Sequence, residues 1–155
     1  VERRARVENI NIIQEVQSGL PSISSDPSQL QQVFLNLLNN AIYAVNRQTD
    51  NGEIKISAAQ EDNQVVVEVQ DNGCGIPPEQ IGKIFLPFFT TKPVGQGTGL
   101  GLSTCYGIIE RLGGEISVAS EVNVGTTFTI RLPLNGPPEK IRSWLTVHEQ
   151  GGMGK

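Results

Sequence analysis

Residues 52–76 read GEIKISAAQEDNQVVVEVQDNGCGI, and the order of residue types in this stretch decides what kind of domain the chain builds. Ile54 and Ile56 alternate with polar neighbours, Asp62 and Asn63 supply turn residues, and Val65, Val67 and Val69 alternate again up to Asp71. Two runs of period two joined by a two-residue turn predict an antiparallel hairpin with one buried face. Asp71 follows the valines at the end of the second strand, where a buried carboxylate is costly unless a donor meets it. Gly73 and Gly75 come next, and glycine permits both turn conformations and close approach of the backbone to a flat ligand. Asp-Asn-Gly alone is a commonplace turn, so the carboxylate acquires a purpose only from its surroundings.

Upstream, NINIIQEV (9–16) alternates with strand period before a turn at Gly19 to Pro21, and the charged opening VERRARVE reads as the end of a helix cut from a longer chain. Asp26 then stands as a candidate N-cap with Pro27 at the first helical position, and apolar residues recur at Leu30, Val33, Phe34, Leu37, Leu38, Ala41, Ile42 and Val45. That spacing predicts a long amphipathic helix. Asn36 and Asn40 stack one turn apart beside its apolar stripe. Amide oxygens are suitable hard ligands for Mg2+, although a pair of asparagines on a solvated helix edge has the same spacing.

Downstream, PPEQIGKIF (77–85) suggests a short helix, and LPFFTTKPVGQGTG (86–99) is too rich in Gly, Pro and Thr for regular structure, the composition of a mobile lid. LGLSTCYGIIERLGG (100–114) has helical spacing at Leu102, Cys105, Ile108, Ile109 and Leu112 and stops at Gly113-Gly114. EISVASEVNVGTTFTIRLPL (115–134) predicts a final hairpin, and a tail is expected over 136–155. Gly95, Gly97, Gly99 and Gly101 lead straight into the last helix, whose free amides and positive end can receive phosphate anions. Thr98 adds a hydroxyl and Lys92 a mobile positive charge. The pattern is neither a P-loop nor a Rossmann fingerprint, and a flexible linker is its rival reading.

The chain's 155 residues suit one domain, expected over 1–135. A net charge of -4 gives no electrostatic reason to bind nucleic acid. No apolar run approaches the roughly 20 residues that span a bilayer, so no direct membrane contact is expected. Cys74 and Cys105 form no CxxC pair, and the single His148 sits in the polar tail; a zinc site or disulfide framework is not suggested, and a reducing cytosol fits.

In order, QLQQVFLNLLNNAIYAV (29–45), DNGCGI (71–76), IFLPFFTTK (84–92), GTGLGLS (97–103) and GTTFTIRLPL (125–134) resemble the catalytic ATP-binding domain of bacterial sensor histidine kinases, in the superfamily of gyrase, heat-shock chaperone and mismatch-repair ATPases. The resemblance covers roughly residues 8–134. It implies an α+β fold, a two-layer sandwich of the Bergerat type: a mixed, mostly antiparallel sheet covered on one face by three helices, with ATP held under a flexible lid at about residues 83–99.

Carried over by motif, Asn40 would ligate Mg2+, Asn36 would support the phosphate and metal end, and Asp71 would bind the adenine amino group. Gly73, Gly75 and Ile76 would line the base pocket, with Thr126 holding adenine through water. Gly97, Gly99 and Gly101 would bind phosphate, and Phe85, Thr90, Thr91, Thr98, Leu100 and Leu102 belong to the same motifs. Phe85, Phe88 and Phe89 read as hinge and packing residues.

Hydrolytic relatives and the related serine kinases usually carry a glutamate base where this chain has Asn36. An amide cannot take a proton from water, so phosphoryl transfer to a histidine is favoured over a GHKL-type ATPase or serine kinase, or over a non-catalytic nucleotide-binding interaction module. Many relatives also place Lys or Arg where Tyr43 stands. Lys92, or else Arg47, would supply that charge, and Tyr43 reads as a packed helix residue. The implied partners are a histidine-containing dimerisation domain and, indirectly, a response regulator, the isolated domain being monomeric.

Overall fold

The computed structural model describes residues 10–21, 23, 27–48, 51–92 and 99–134, with Arg47 and Gln48 described by backbone alone. Asp26, Gly95, Gly97, Thr98, the side chain of Arg47, His148 and the expected tail lie outside the described residues. The strands are β1 (Asn11–Val16), β2 (Glu53–Glu61), β3 (Gln64–Asp71), β4 (Glu115–Glu121) and β5 (Gly125–Pro133). The helices are α1 (Pro27–Gln48), α2 (Pro78–Ile81) and α3 (Gly101–Arg111). One five-stranded sheet runs in the order β1-β2-β3-β5-β4. β1 joins β2 in parallel and every other neighbour is antiparallel, the mixed sheet expected.

The hairpin of the opening stretch forms in the anticipated register, with Glu61 opposite Gln64 across a turn in which Asp62 takes φ 53°. Its valine face is the face that the helices cover. Val33, Leu37, Ala41, Ile42 and Val45 of α1 meet Ile54, Val69, Phe128, Ile130 and Leu132 of the sheet and Cys105, Ile108 and Ile109 of α3 in one buried core. Each large aliphatic side chain so removed from water contributes about 1.5–3 kcal/mol before entropy is counted. The other face of the sheet carries the ion pairs Lys55–Glu15 (3.1 Å) and Arg131–Glu61 (2.8 Å). Both are solvent-exposed, and such pairs add at most about 1 kcal/mol each.

Helix ends follow local chemistry. α1 opens on Pro27, whose missing N–H costs nothing in the first turn. α3 ends in a Schellman motif: Gly113, at φ 77°, donates to the Glu110 carbonyl (3.0 Å), and Gly114 donates to the Ile109 carbonyl (2.9 Å). Among the described residues, no helix is long and apolar enough to cross a membrane.

The sheet register positions the site. Asp71 lies opposite Thr126, and two residues further along Val69 lies opposite Phe128. By the two-residue period, the Asp71 carboxyl and the Thr126 hydroxyl leave the sheet on the helix-covered side.

Candidate functional site

A cavity of about 350 Å³ opens between α1, the β3 end, the 89–92 segment and the start of α3. That size suits a small-molecule ligand. Its wall includes Asn36, Asn40, Asp71, Gly75, Ile76, Thr90, Thr91, Lys92, Gly99, Gly101, Leu102 and Thr126 from the sequence-derived candidates. α1 is its spine. Cys74, three residues after Asp71, donates its N–H to the Ala44 carbonyl (3.2 Å), while Asn36 donates to the Gly101 carbonyl (3.3 Å). Ala44 and Asn36 are separated by about 12 Å along the helix axis at 1.5 Å per residue. Asn40 lies one turn from each.

At the first end, Asp71 is 6% exposed. Its Oδ1 accepts the Gly73 N–H at 2.8 Å. Burial pushes the carboxyl up to about 6, against the opposing effect of backbone donors at Gly73 and Thr126. The neighbouring hydroxyls form a knot. Ser120 Oγ accepts the Ile76 N–H (2.8 Å), lies 2.8 Å from Thr126 Oγ1 and donates to the Gly125 carbonyl (3.0 Å). Asn72 holds the loop to β2 by accepting the Glu53 N–H (2.8 Å).

At the other end, the amide nitrogen of Asn36 donates to Gly101 and, at 3.7 Å, to Cys105 Sγ. Burial pushes the Cys105 thiol up, so it stays protonated and donates to the Val33 carbonyl at 3.7 Å. The N-cap of α3 is Leu100, whose side chain makes no capping hydrogen bond. Asn40 Oδ1 accepts from Lys92 Nζ at 3.3 Å, and that ammonium lies 4.8 Å from the centroid of the Tyr43 ring. Thr90 Oγ1 accepts the Lys92 N–H (3.1 Å), fixing the turn that sends Lys92 inward.

The family model described as histidine kinase-, DNA gyrase B- and HSP90-like ATPase matches residues 25–136. The catalytic domain of histidine kinase ThkA superposes with a TM-score of 0.74 at 40% identity, covering 86% of this chain and 84% of that one. The chain belongs to this ATPase family, on its histidine kinase branch. Sensor histidine kinase ZraS of Escherichia coli (strain K12) is 42% identical over 135 residues, which are 87% of this chain and 28% of ZraS. This kinase domain therefore spans less than a third of that relative. Full-length ShkA in complex with AMPPNP superposes with a TM-score of 0.73 at 32% identity, covering 84% of this chain and 27% of that one. ThkA in complex with the response regulator TrrA gives a TM-score of 0.70 at 35% identity, over 86% of this chain and 36% of that one.

Three of the described candidate binding residues lie away from the cavity wall. Gly73 packs on α1: a Cβ there would fall 2.6 Å from the Ala44 carbonyl carbon, so the small residue serves loop-on-helix contact. Phe85 turns into the core, with its ring 5.5 Å from Tyr106 and edge-on to Phe128 at 6.4 Å. Leu100 is 41% exposed, at the N-cap of α3. Gly75 does line the cavity, but its φ of 74° and the 2.2 Å that would separate a Cβ from the Glu121 carbonyl oxygen already demand glycine.

Sequence reasoning missed Asn39, Tyr43, Ala44, Cys74, Gln80, Ile84, Phe89 and Phe128 as wall residues. Tyr43 and Ala44 follow from Asn40 by the helical period, and Phe128 follows from Thr126 by the strand period. For Gln80 and Ile84 the local sequence carries no such signal.

Proposed function

We propose that the chain is the ATP-binding catalytic domain of a two-component sensor histidine kinase, binding ATP with Mg2+ and transferring the γ-phosphoryl group to a histidine on a separate dimerisation domain. The observation that carries this reading is the cavity wall that joins a buried carboxylate, Asp71, to the N-terminal turn of α3 along α1. Asp71 would accept from the adenine amino group, where guanine presents a carbonyl and is repelled. Thr126, seated by Ser120, would complete the base end. The first turn of α3 offers amide N–H groups and a positive dipole end to the phosphates.

Asn40 Oδ1 fits a magnesium ligand, because it is a hard amide oxygen already turned toward a cationic ammonium. Among the described residues no group of three His, Cys, Asp or Glu could hold a metal. That suits an ion that takes its other ligands from water and phosphate. When bound, Mg2+ supplies charge neutralisation at the phosphate oxygens. Asn36 offers no base to activate water, and its nitrogen is committed to Gly101 and Cys105. The imidazole of an incoming histidine brings its own lone pair, so attack on the γ-phosphorus with ADP leaving requires no base here.

The natural partners are then the histidine-containing domain and, downstream, a response regulator, with the isolated domain monomeric in a cytoplasmic setting. Calorimetry with ATP and GTP, with and without Mg2+, tests the site. A folded chain that binds neither nucleotide refutes it. Phosphoryl transfer to a separately supplied histidine domain tests the partner, and failure with both proteins folded and ATP bound refutes the kinase assignment.

A further inference from the structure

Lys92 and Asp71 are the two residues with charged side chains among the described residues of the cavity wall, and Lys92 carries the positive charge. Its ammonium meets two side chains of one helix. Asn40 Oδ1 accepts from it at 3.3 Å, and the Tyr43 ring lies beneath it at 4.8 Å. Asn40 and Tyr43 are three positions apart on α1, so the amide and the ring stand together on one helix face. An aromatic face attracts an ammonium through its quadrupole but carries no formal charge. A carboxylate in that place would neutralise the lysine, whereas the ring holds the ammonium without neutralising it. A lysine without such a seat spreads its charge over the many rotamers of a four-carbon stem.

We propose that Tyr43 is a positioning residue for the nucleotide: it seats the Lys92 ammonium beside Asn40, at the phosphate and metal end of the cavity. The pair thereby does from two elements what a basic side chain at position 43 would do from one. This rests on the nucleotide reading above.

ATP titration calorimetry on the chain tests it through the ring electronics. Tyr43→Phe keeps the ring face and is the reference for the series. Replacing Tyr43 with mono-, di- and trifluorinated phenylalanines weakens the quadrupole at nearly constant shape, so affinity falls stepwise, reaching about two- to fivefold, as it does for Tyr43→Leu. In chains that also carry Lys92→Met, the same changes at position 43 have no effect, and Tyr43→Arg restores affinity there. A flat response to fluorination, or a loss of equal size with and without Lys92→Met, overturns the proposal while ATP binding by the unaltered chain leaves the site reading standing. An unaltered, folded chain that does not bind ATP overturns both. The fluorinated series keeps the test decisive should Tyr43→Leu fail to fold.

Discussion

Asp71→Asn should make the ATP-free domain more stable at neutral pH and, in the same molecule, weaken its hold on ATP. The carboxyl is buried at the end of β3, and burial raises it from 3.8 to about 6 although backbone N–H groups of Gly73 and Thr126 work the other way. In the folded state the group therefore holds its proton at pH values where the unfolded chain has released it. Between about pH 4 and pH 6 the folded state binds more protons than the unfolded one, so stability falls as pH rises through that window and levels off above it. At about 1.4 kcal/mol per tenfold, a rise from 3.8 to about 6 corresponds to about 3 kcal/mol in full, of which about 2 kcal/mol is lost between pH 4 and pH 7, because the unfolded carboxyl is already more than half ionised at pH 4. Asparagine keeps an oxygen to accept the Gly73 N–H and does not titrate.

Urea unfolding of the two chains followed by circular dichroism, at half-unit steps from pH 4 to pH 7.5, isolates this group, because the other carboxylates are common to both. The advantage of Asp71→Asn should grow by about 2 kcal/mol from the acid to the neutral end. ATP affinity should move the other way, about ten- to a hundredfold weaker in Asp71→Asn at pH 7.5, the worth of a buried hydrogen bond to a charged acceptor. That deficit should shrink below pH 6, where the native carboxyl is itself protonated. A stability difference that stays flat from pH 4 to pH 7 would refute the reasoning, because it would mean that the two backbone donors hold Asp71 ionised throughout.

Three further outcomes follow from neighbouring contacts. Ser120→Ala leaves the Ile76 N–H and the Gly125 carbonyl without their hydroxyl partner; it should cost about 1–3 kcal/mol in urea unfolding and lower ATP affinity, whereas unchanged stability would dissociate Ser120 from the base end. Asn36→Glu sets a carboxylate against two acceptors, the Gly101 carbonyl and Cys105 Sγ; it should destabilise the domain by a similar amount without creating steady-state ATP hydrolysis, and a stable, hydrolysing variant would overturn that account. Maleimide labelling should modify Cys74, which lines the cavity, and spare Cys105, which is 0% exposed. ATP should slow the Cys74 reaction, and a rate indifferent to saturating ATP would place the nucleotide elsewhere.

What could be read from the sequence tracks how periodic each segment is. The β2–β3 hairpin, the α1 stripe and the α3 stop at Gly113 emerge because burial repeats with the strand or helix period, and Asp71 inherits the valine face by the same rule. The segment from Phe85 to Lys92 has no period, and its three phenylalanines go to three environments: Phe85 into the core, Phe88 to solvent at 75% exposure, and Phe89 into the cavity wall. Glycine gave a different ambiguity. At Gly73 and Gly75 the residue type announced that something lies close, which a nucleotide base would satisfy, but the atoms that require it are the main chains of Ala44 and Glu121.

Tyr43 shows why comparing one position at a time misjudges a site. Taken alone, an aromatic residue where relatives carry a base looks like the loss of a phosphate contact. The cavity, however, responds to where positive charge sits, whichever backbone delivers it, and Lys92 sits on the Tyr43 ring and the Asn40 amide. On the proposal above, position 43 seats a charge instead of bearing one. Its substitution should therefore be judged together with Lys92, since an effect that requires both residues is invisible in either motif alone.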